Sequence, residues 1–373
     1  MTKVTKTMRE IDYTAFLEID LHALTENYKS IAKYVSPSVC AATVKANAYG
    51  LGIKIISKTL YNAGCRYFFV SDLNEGISLR EILTTPDTII YVLNGLMPHT
   101  VEYYEEYNLT PVIGSMEELN EYNDYVKQKE QFPIAIHFDT GFSRLGFDKE
   151  MAVQVSKYNL DINLIMSHLA SAEEKLSLMP ENQLKQLLEI CKLFKKQYRS
   201  IANSAGIIRN SRFHLEMVRP GIGLYGGYES IQNILEIKPV IKLYAPVIQM
   251  KNIQKNSTIG YGATYIAEKD MRIALISIGY ADGIPRSLSS TSTSSGGQFF
   301  YNGIPTPILG RVSMDIIAID ISQIPRNKMQ RGEFIEIIGS NQNIDKLSEN
   351  ADTISYEILT RLNTRIRKIY KYA

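Results

Sequence analysis

An alternation that fills the chain up to Arg219 constrains the fold most. Short apolar runs occur at Cys40–Val44, Tyr67–Ser71, Thr88–Val92, Thr110–Gly114, Ile134–Phe138, Asn163–Ser167, Ser200–Asn203 and Leu215–Arg219. They are too short for helices, and most are rich in β-branched or aromatic residues, which reads as strand. Several are apolar throughout, as suits strands covered on both faces of a parallel sheet. The stretches Asn74–Leu83, Met116–Lys129, Lys149–Tyr158 and Asn182–Lys196 carry apolar residues three and four apart and read as helices. An earlier helix near Ala23–Tyr34 precedes the first run, and Ser115 with Glu118 forms a capping-box signature. Eight strands about 25 residues apart, each followed by a helix, is the pattern of a (β/α)8 barrel. The last two runs are short and polar, and a doubly wound sheet stays open on periodicity alone.

Beyond Pro239 the texture changes. Strand-like runs crowd together at Val240–Gln249, Ile273–Ile278, Gln298–Tyr301, Pro307–Leu309, Ile316–Ile319 and Phe334–Ile338. Turn residues such as Asn302-Gly303 separate them, and a helical pattern returns only near Tyr356–Leu362. The expected architecture is therefore α/β: an N-terminal TIM-like (β/α)8 barrel over 1–238 and a C-terminal mainly-β domain over 239–373. The first residues are free to pair with the second domain. Ser287–Gly297 reads as a flexible surface hairpin.

Several function classes lose support. Lys and Arg number 41 against 39 Asp and Glu, so there is no electrostatic footprint for nucleic acid or an anionic membrane. No apolar run approaches the roughly 20 residues of a membrane span. The polar N-terminus lacks the apolar core of a secretory signal. Three widely spaced cysteines (Cys40, Cys65, Cys191) exclude a disulfide framework and fit a cytoplasmic protein. No HExxH, Cys/His cluster or Walker motif is present, so nothing points to a metal or to P-loop chemistry.

In a parallel barrel, chemistry gathers at the C-terminal ends of the strands. Lys45, Asp72, Asn94, Asp139 with Arg144 just after it, His168, Asn203-Ser204 and Arg219 stand there. Such a mouth is polar, basic and able to move protons. Lys45 follows an apolar strand and precedes small residues. Desolvation of its amine would lower the pKa, as a Schiff-base lysine requires; a lysine snorkelling to solvent is the ordinary alternative. Asn203–Gly206 and Arg219–Gly223 follow the last two strands, where such barrels cradle phosphate. Two tight turns would look the same. His168 and Arg219 make sense together if a neutral imidazole accepts from the guanidinium, although a core-satisfied histidine is equally simple.

Nine motifs then resemble alanine racemases of pyridoxal-phosphate fold type III, in family order and over nearly the whole chain. They are VKANAYGLG (44–52), HFDTGFSRLGF (137–147), MSHLASAEE (166–174), NSAG (203–206), RPGIGLYG (219–226), YGATY (261–265), IGYADGIPR (278–286), GRVSMD (310–315) and ISYE (354–357). The resemblance implies a homodimer with shared active sites that interconverts L- and D-alanine and supplies D-alanine for peptidoglycan. Lys45 would bond covalently to pyridoxal 5′-phosphate and serve as one base. Tyr261 of the other subunit would serve as the second, on the opposite face of Cα. Tyr49, His168, Asn203, Ser204, Arg219, Gly221, Ile222 and Tyr356 would bind the cofactor, and Arg144 and Met314 the substrate. His168 would bridge Tyr261 and Arg219. Arg219, a permanent cation at the ring nitrogen, would leave the cofactor a weak electron sink and suppress side reactions.

Four departures stand beside the resemblance. His137 occupies a position where many members carry a lysine that becomes carbamylated and orients the arginine equivalent to Arg144. Asn47, Glu173 and Ser313 replace residues common elsewhere in the family. A serine or broad-specificity racemase remains a close alternative. A pyridoxal decarboxylase is disfavoured by Arg219, and a non-enzymatic pyridoxal-phosphate-binding protein would resemble the barrel alone.

Overall fold

The computed structural model describes residues 14–127, 129–195, 197–227, 231, 234–362 and 364–372. The polar N-terminal segment read for a secretory signal lies almost wholly outside them. The chain divides into two compact units, one formed by Leu21–Lys238 and the other by the residues through Asp20 together with Pro239–Ala373.

Strand β1 (Phe16–Asp20) belongs to the second unit. The first unit is a barrel of parallel strands: β2 (Val39–Cys40), β3 (Ala42–Thr43), β4 (Tyr67–Val70), β5 (Ile89–Val92), β6 (Thr110–Ile113), β7 (Ile134–His137), β8 (Ile162–Met166), β9 (Tyr198–Ser200) and β10 (Met217–Val218). Their order is β2-β10-β9-β8-β7-β6-β5-β4-β3. β2 and β3 are halves of one strand interrupted at Ala41; one half pairs with β10 and the other with β4, which closes the ring. The expected eight-strand barrel is what the chain forms, with its first strand split. Its interior is packed by Ala41, Phe69, Tyr91, Val112, Ala135, Leu164, Met166 and Met217. Large and small side chains alternate there, as a closed barrel of this size requires, and Phe69 stacks on Tyr91 at 4.6 Å.

Helices follow the strands much as the periodicity predicts, at Leu21–Val35, Leu73–Ile82, Met116–Val126 and Met179–Cys191. The predicted helix at Lys149–Tyr158 is a 3-10 turn (Lys149–Met151) running into Ala152–Val155. The seventh strand begins earlier than its apolar run. Tyr198 and Arg199 are in it, because Arg199 is paired by Glu216, while residues 201–203 lead into the next helix cap.

The second unit holds an antiparallel-rich sheet and a separate two-stranded ribbon. It uses β11 (Ile241–Ile253), β12 (Thr258–Ile259), β13 (Tyr265–Ile266), β14 (Met271–Ile276), β15 (Gln298–Tyr301), β16 (Ile304–Pro307), β17 (Ile317–Asp320), β18 (Phe334–Ile338) and β19 (Arg367–Lys371). β1 lies between β11 and β19. The expected run Pro307–Leu309 is displaced to 304–307. The Asn302-Gly303 turn, with both residues at positive φ, pairs Tyr301 with Ile304 and so fixes the register. The polar loop 287–297 is also pinned rather than free. Ser290, buried, donates to the Ile308 carbonyl at 2.7 Å, and the Gly297 amide donates to the Leu288 carbonyl. Its tip, 292–296, and Ser287 are exposed. No helix among the described residues is long and apolar enough to cross a membrane.

Candidate active site

Lys45 leaves β3 at the C-terminal end of the barrel. The residues after it do something the sequence pattern does not announce. Ala46, Asn47, Ala48 and Tyr49 all take φ between 52° and 55°, a left-handed helical turn ended by Gly50 at 80°. L-residues disfavour this conformation, so surrounding bonds must hold it. The Asn47 amide donates to Glu75 at 3.3 Å, and the Asn47 side-chain oxygen accepts from the Ile53 amide at 2.8 Å. The turn carries Tyr49, buried, towards Gly221. Burial and the Arg144 cation hold the Lys45 amine below its ordinary range, partly offset by Glu75.

Arg219, at the end of β10, is 5% exposed. It donates to the Ser200 hydroxyl, to the Ser167 carbonyl at 2.7 Å, and approaches His168 Nδ1 at 3.3 Å. Phe69 lies beneath its guanidinium. Burial, then Arg144, pulls its pKa to about 9, still cationic at neutral pH. His168 is held well below its ordinary range by burial and then by Arg219, Arg144, His137 and Lys45, so its ring is neutral and free to accept the Arg219 hydrogen. His137, 6% exposed, is brought down to about 3 by burial and then by Arg219 and Arg144, against the pull of Asp139.

Arg144 sits on a loop organised from within. The Asp139 carboxylate accepts from the Gly141 and Phe142 amides at 2.7 Å each and from the Arg144 amide at 3.2 Å. The exposed guanidinium rests over the Phe142 ring at 4.2 Å, and Phe142 meets His168 edge-on. Opposite lie the two phosphate-cradle candidates. Asn203 caps the helix Ser204–Arg209 through the Gly206 amide, so its carbonyl oxygen is committed there. The Ser204 hydroxyl accepts from the Gly221 and Gly223 amides, both at 3.1 Å. Ile222 opens the 3-10 turn that follows. A Cβ at Gly221 would lie 2.2 Å from the Tyr49 hydroxyl, so only glycine fits.

The barrel therefore brings together Lys45, Tyr49, Arg144, His168, Asn203, Ser204, Arg219, Gly221 and Ile222. Its mouth is a cluster of cations and neutral imidazoles with converging amides. That donor set fits a phosphorylated, aldehyde-bearing anion such as pyridoxal phosphate: an amine of lowered pKa for the carbonyl carbon, amides and hydroxyls for the phosphate. No group of His, Cys, Asp and Glu suited to a metal occurs among the described residues.

The other three expected residues lie in the β unit. Tyr261 stands on a turn between β12 and β13 and is 73% exposed. Met314, also exposed, lies on a loop braced by Arg365, which pairs with Asp282 and Asp315. Tyr356 is half-buried near the start of the helix Ser355–Arg361. Sequence reasoning missed Ser200, Ser167, Thr140 and Gln183, which hold the charged groups in place. Gln183 lies on an amphipathic helix among charged neighbours, where a glutamine reads as solvent-facing.

Two family models cover the chain: alanine racemase, N-terminal domain, over residues 19–229, and alanine racemase, C-terminal domain, over residues 240–370. Alanine racemase of Brucella abortus is 37% identical over 98% of this chain and 95% of its own. A catabolic alanine racemase of Agrobacterium fabrum is 39% identical over 95% of this chain and 91% of its own. The crystal structure of alanine racemase from Bartonella henselae, with covalently bound pyridoxal phosphate, superposes with a TM-score of 0.91 at 36% identity, over 96% of this chain and 100% of that one.

Proposed function

This chain belongs to the alanine racemase family of pyridoxal-phosphate-dependent isomerases, and we propose that it interconverts L- and D-alanine with two bases, Lys45 and Tyr261 of the partner subunit. Pyridoxal phosphate, when bound, supplies the electron sink that makes the substrate Cα–H acidic. Lys45 would hold the cofactor covalently, and its amine would give or take the proton on one face of Cα. The Tyr261 phenol does so on the other, with His168 carrying the influence of Arg219 to it. Tyr49, Ser204, the Gly221 and Ile222 backbone and Tyr356 hold the phosphate. His168, Arg219 and Asn203 hold the ring, and Arg144 and Met314 receive the substrate.

One observation carries the reading. A lysine amine weakened by burial and by Arg144 shares its mouth with a buried arginine tied to Ser200, Ser167 and His168. Exposure of Tyr261 and of Met314 and Ile354, at 51% and 61%, supports a homodimer in which the β unit of each chain completes its partner's site. A cytoplasmic role supplying D-alanine for peptidoglycan follows from this reading. The purified protein should be yellow with bound cofactor, and borohydride should bleach it and leave the label on Lys45. Lys45→Ala should lose both the label and the conversion of L-alanine to D-alanine. A wild-type preparation saturated with cofactor that converts neither enantiomer would overturn the proposal.

A further inference from the structure

One residue outside the expected set ties the two loops of the site together. Gln183 lies on the helix Met179–Cys191, 1% exposed, with every polar atom of its amide engaged. Its nitrogen donates to the His168 carbonyl at 2.8 Å and to the Thr140 hydroxyl at 3.4 Å. Its oxygen accepts from the Ala170 amide at 3.0 Å. Thr140 in turn shares a hydrogen with the Ser167 hydroxyl at 2.7 Å, and both are 1% exposed. The Ser167 carbonyl takes the Arg219 guanidinium. Thr140 also directly follows Asp139, whose carboxylate shapes the loop bearing Arg144.

We propose that Gln183 is a positioning residue for racemisation: its amide clamps the loop after β8 to the loop after β7, so that His168 and Arg219 on one side and Arg144 on the other are presented as a single unit. The inference rests on the racemase reading for its chemistry. A glutamine is suited to the task because one flat group both donates and accepts. Glutamate keeps the acceptor for Ala170 but offers no hydrogen to the His168 carbonyl until it is protonated. Leucine fills the space but leaves the His168 carbonyl and the Ala170 amide without the partner that Gln183 supplies, which lets the loops shift. Small displacements of groups that hold reactants cost rate steeply.

The test uses the full-length holoenzyme. Gln183→Leu should keep its cofactor but lower kcat by about tenfold or more. Gln183→Glu, measured as its activity relative to wild type, should recover as pH falls and the carboxyl regains a hydrogen to donate. Thr140→Val cuts both hydrogen bonds that reach the Arg144 loop, from Gln183 and from Ser167, and keeps the Gln183 bonds to His168 and Ala170. It should raise KM for alanine several-fold while kcat stays within about twofold of wild type. Hydrogen exchange on the cofactor-free protein gives a readout independent of activity. The amides of Ala170 and of residues 141–144 should exchange faster in Gln183→Leu, and those of the β unit should not. If wild type racemises alanine and Gln183→Leu matches it in kcat, KM and exchange, the clamp is wrong. If wild type does not racemise, the racemase reading fails instead, and exchange alone decides whether the clamp exists. Should Gln183→Leu not fold, Thr140→Val and the pH response of Gln183→Glu decide the matter.

Discussion

At Gly221 there is no room for a methyl group, because the Tyr49 hydroxyl occupies the place where it would go. Gly221→Ala should therefore push Tyr49 aside and weaken cofactor binding at least about tenfold, or roughly 1.4 kcal/mol, read by visible absorbance on titration with pyridoxal phosphate. His137 settles a different question. Its ring is buried and neutral, so it cannot supply the negative charge a carbamylated lysine would offer to Arg144. Arg144 is held instead through its backbone by Asp139 and through its guanidinium by the Phe142 ring. The same burial has a cost in acid. Folded His137 resists protonation down to about 3, against an ordinary 6.5, so between those values the unfolded chain binds more protons. Stability should be full above about 6.5 and fall as pH drops towards 3. His137→Gln should flatten that fall in melting experiments run across the range. The sequence places His137 beside the site, but its protonation depends on Arg219 and Arg144, which only the fold brings near.

The turn at 46–49 is costly for its length. Left-handed backbone costs roughly 1–2 kcal/mol per non-glycine residue. Ala46 is exposed, so Ala46→Gly removes its steric cost without losing packing and should stabilise the protein by about 1 kcal/mol in denaturant titration. The helix Met116–Val126 holds a second device. The Glu118 carboxylate accepts from the Gly114 amide at 2.7 Å, and burial raises its pKa from 4.5 to about 7. A Cβ at Gly95 would lie 2.6 Å from it, so the pocket is close-fitting. An acid raised in this way stabilises fully below about 4.5 and loses that contribution as pH rises through 7. Glu118→Gln keeps the acceptor and should melt higher than wild type above pH 7, on the order of 1 kcal/mol, with little difference near 4.5. Element types were legible wherever apolar periodicity was long. Strand edges slipped where a pair such as Arg199 and Glu216 admits charged residues, and the left-handed turn had no signal beyond small residues before Gly50.

On the scale of the whole molecule, the shared-site proposal has a direct test. Lys45→Ala and Tyr261→Phe each damage a different half of every site. Mixed and allowed to exchange subunits, they should regain about a quarter of wild-type sites, because one site of each mixed dimer is intact. Sites built within one chain would regain nothing. The barrel mouth was readable from strand-end residues, yet the braces behind it were not, since Gln183 and Thr140 are ordinary polar residues until the fold buries them. The placement of β1 reaches furthest beyond the site. Phe16 pairs with Tyr244 on one side and with Arg367 on the other. A ribosome thus releases this strand before the barrel, and its neighbours β11 and β19 only after it. The barrel sequence emerges whole while β1 still waits, and the β unit cannot close until residues 367–371 have been made. A nascent chain stalled before residue 367 should therefore expose a bare strand edge, the form in which this protein is most open to aggregation and to capture by chaperones.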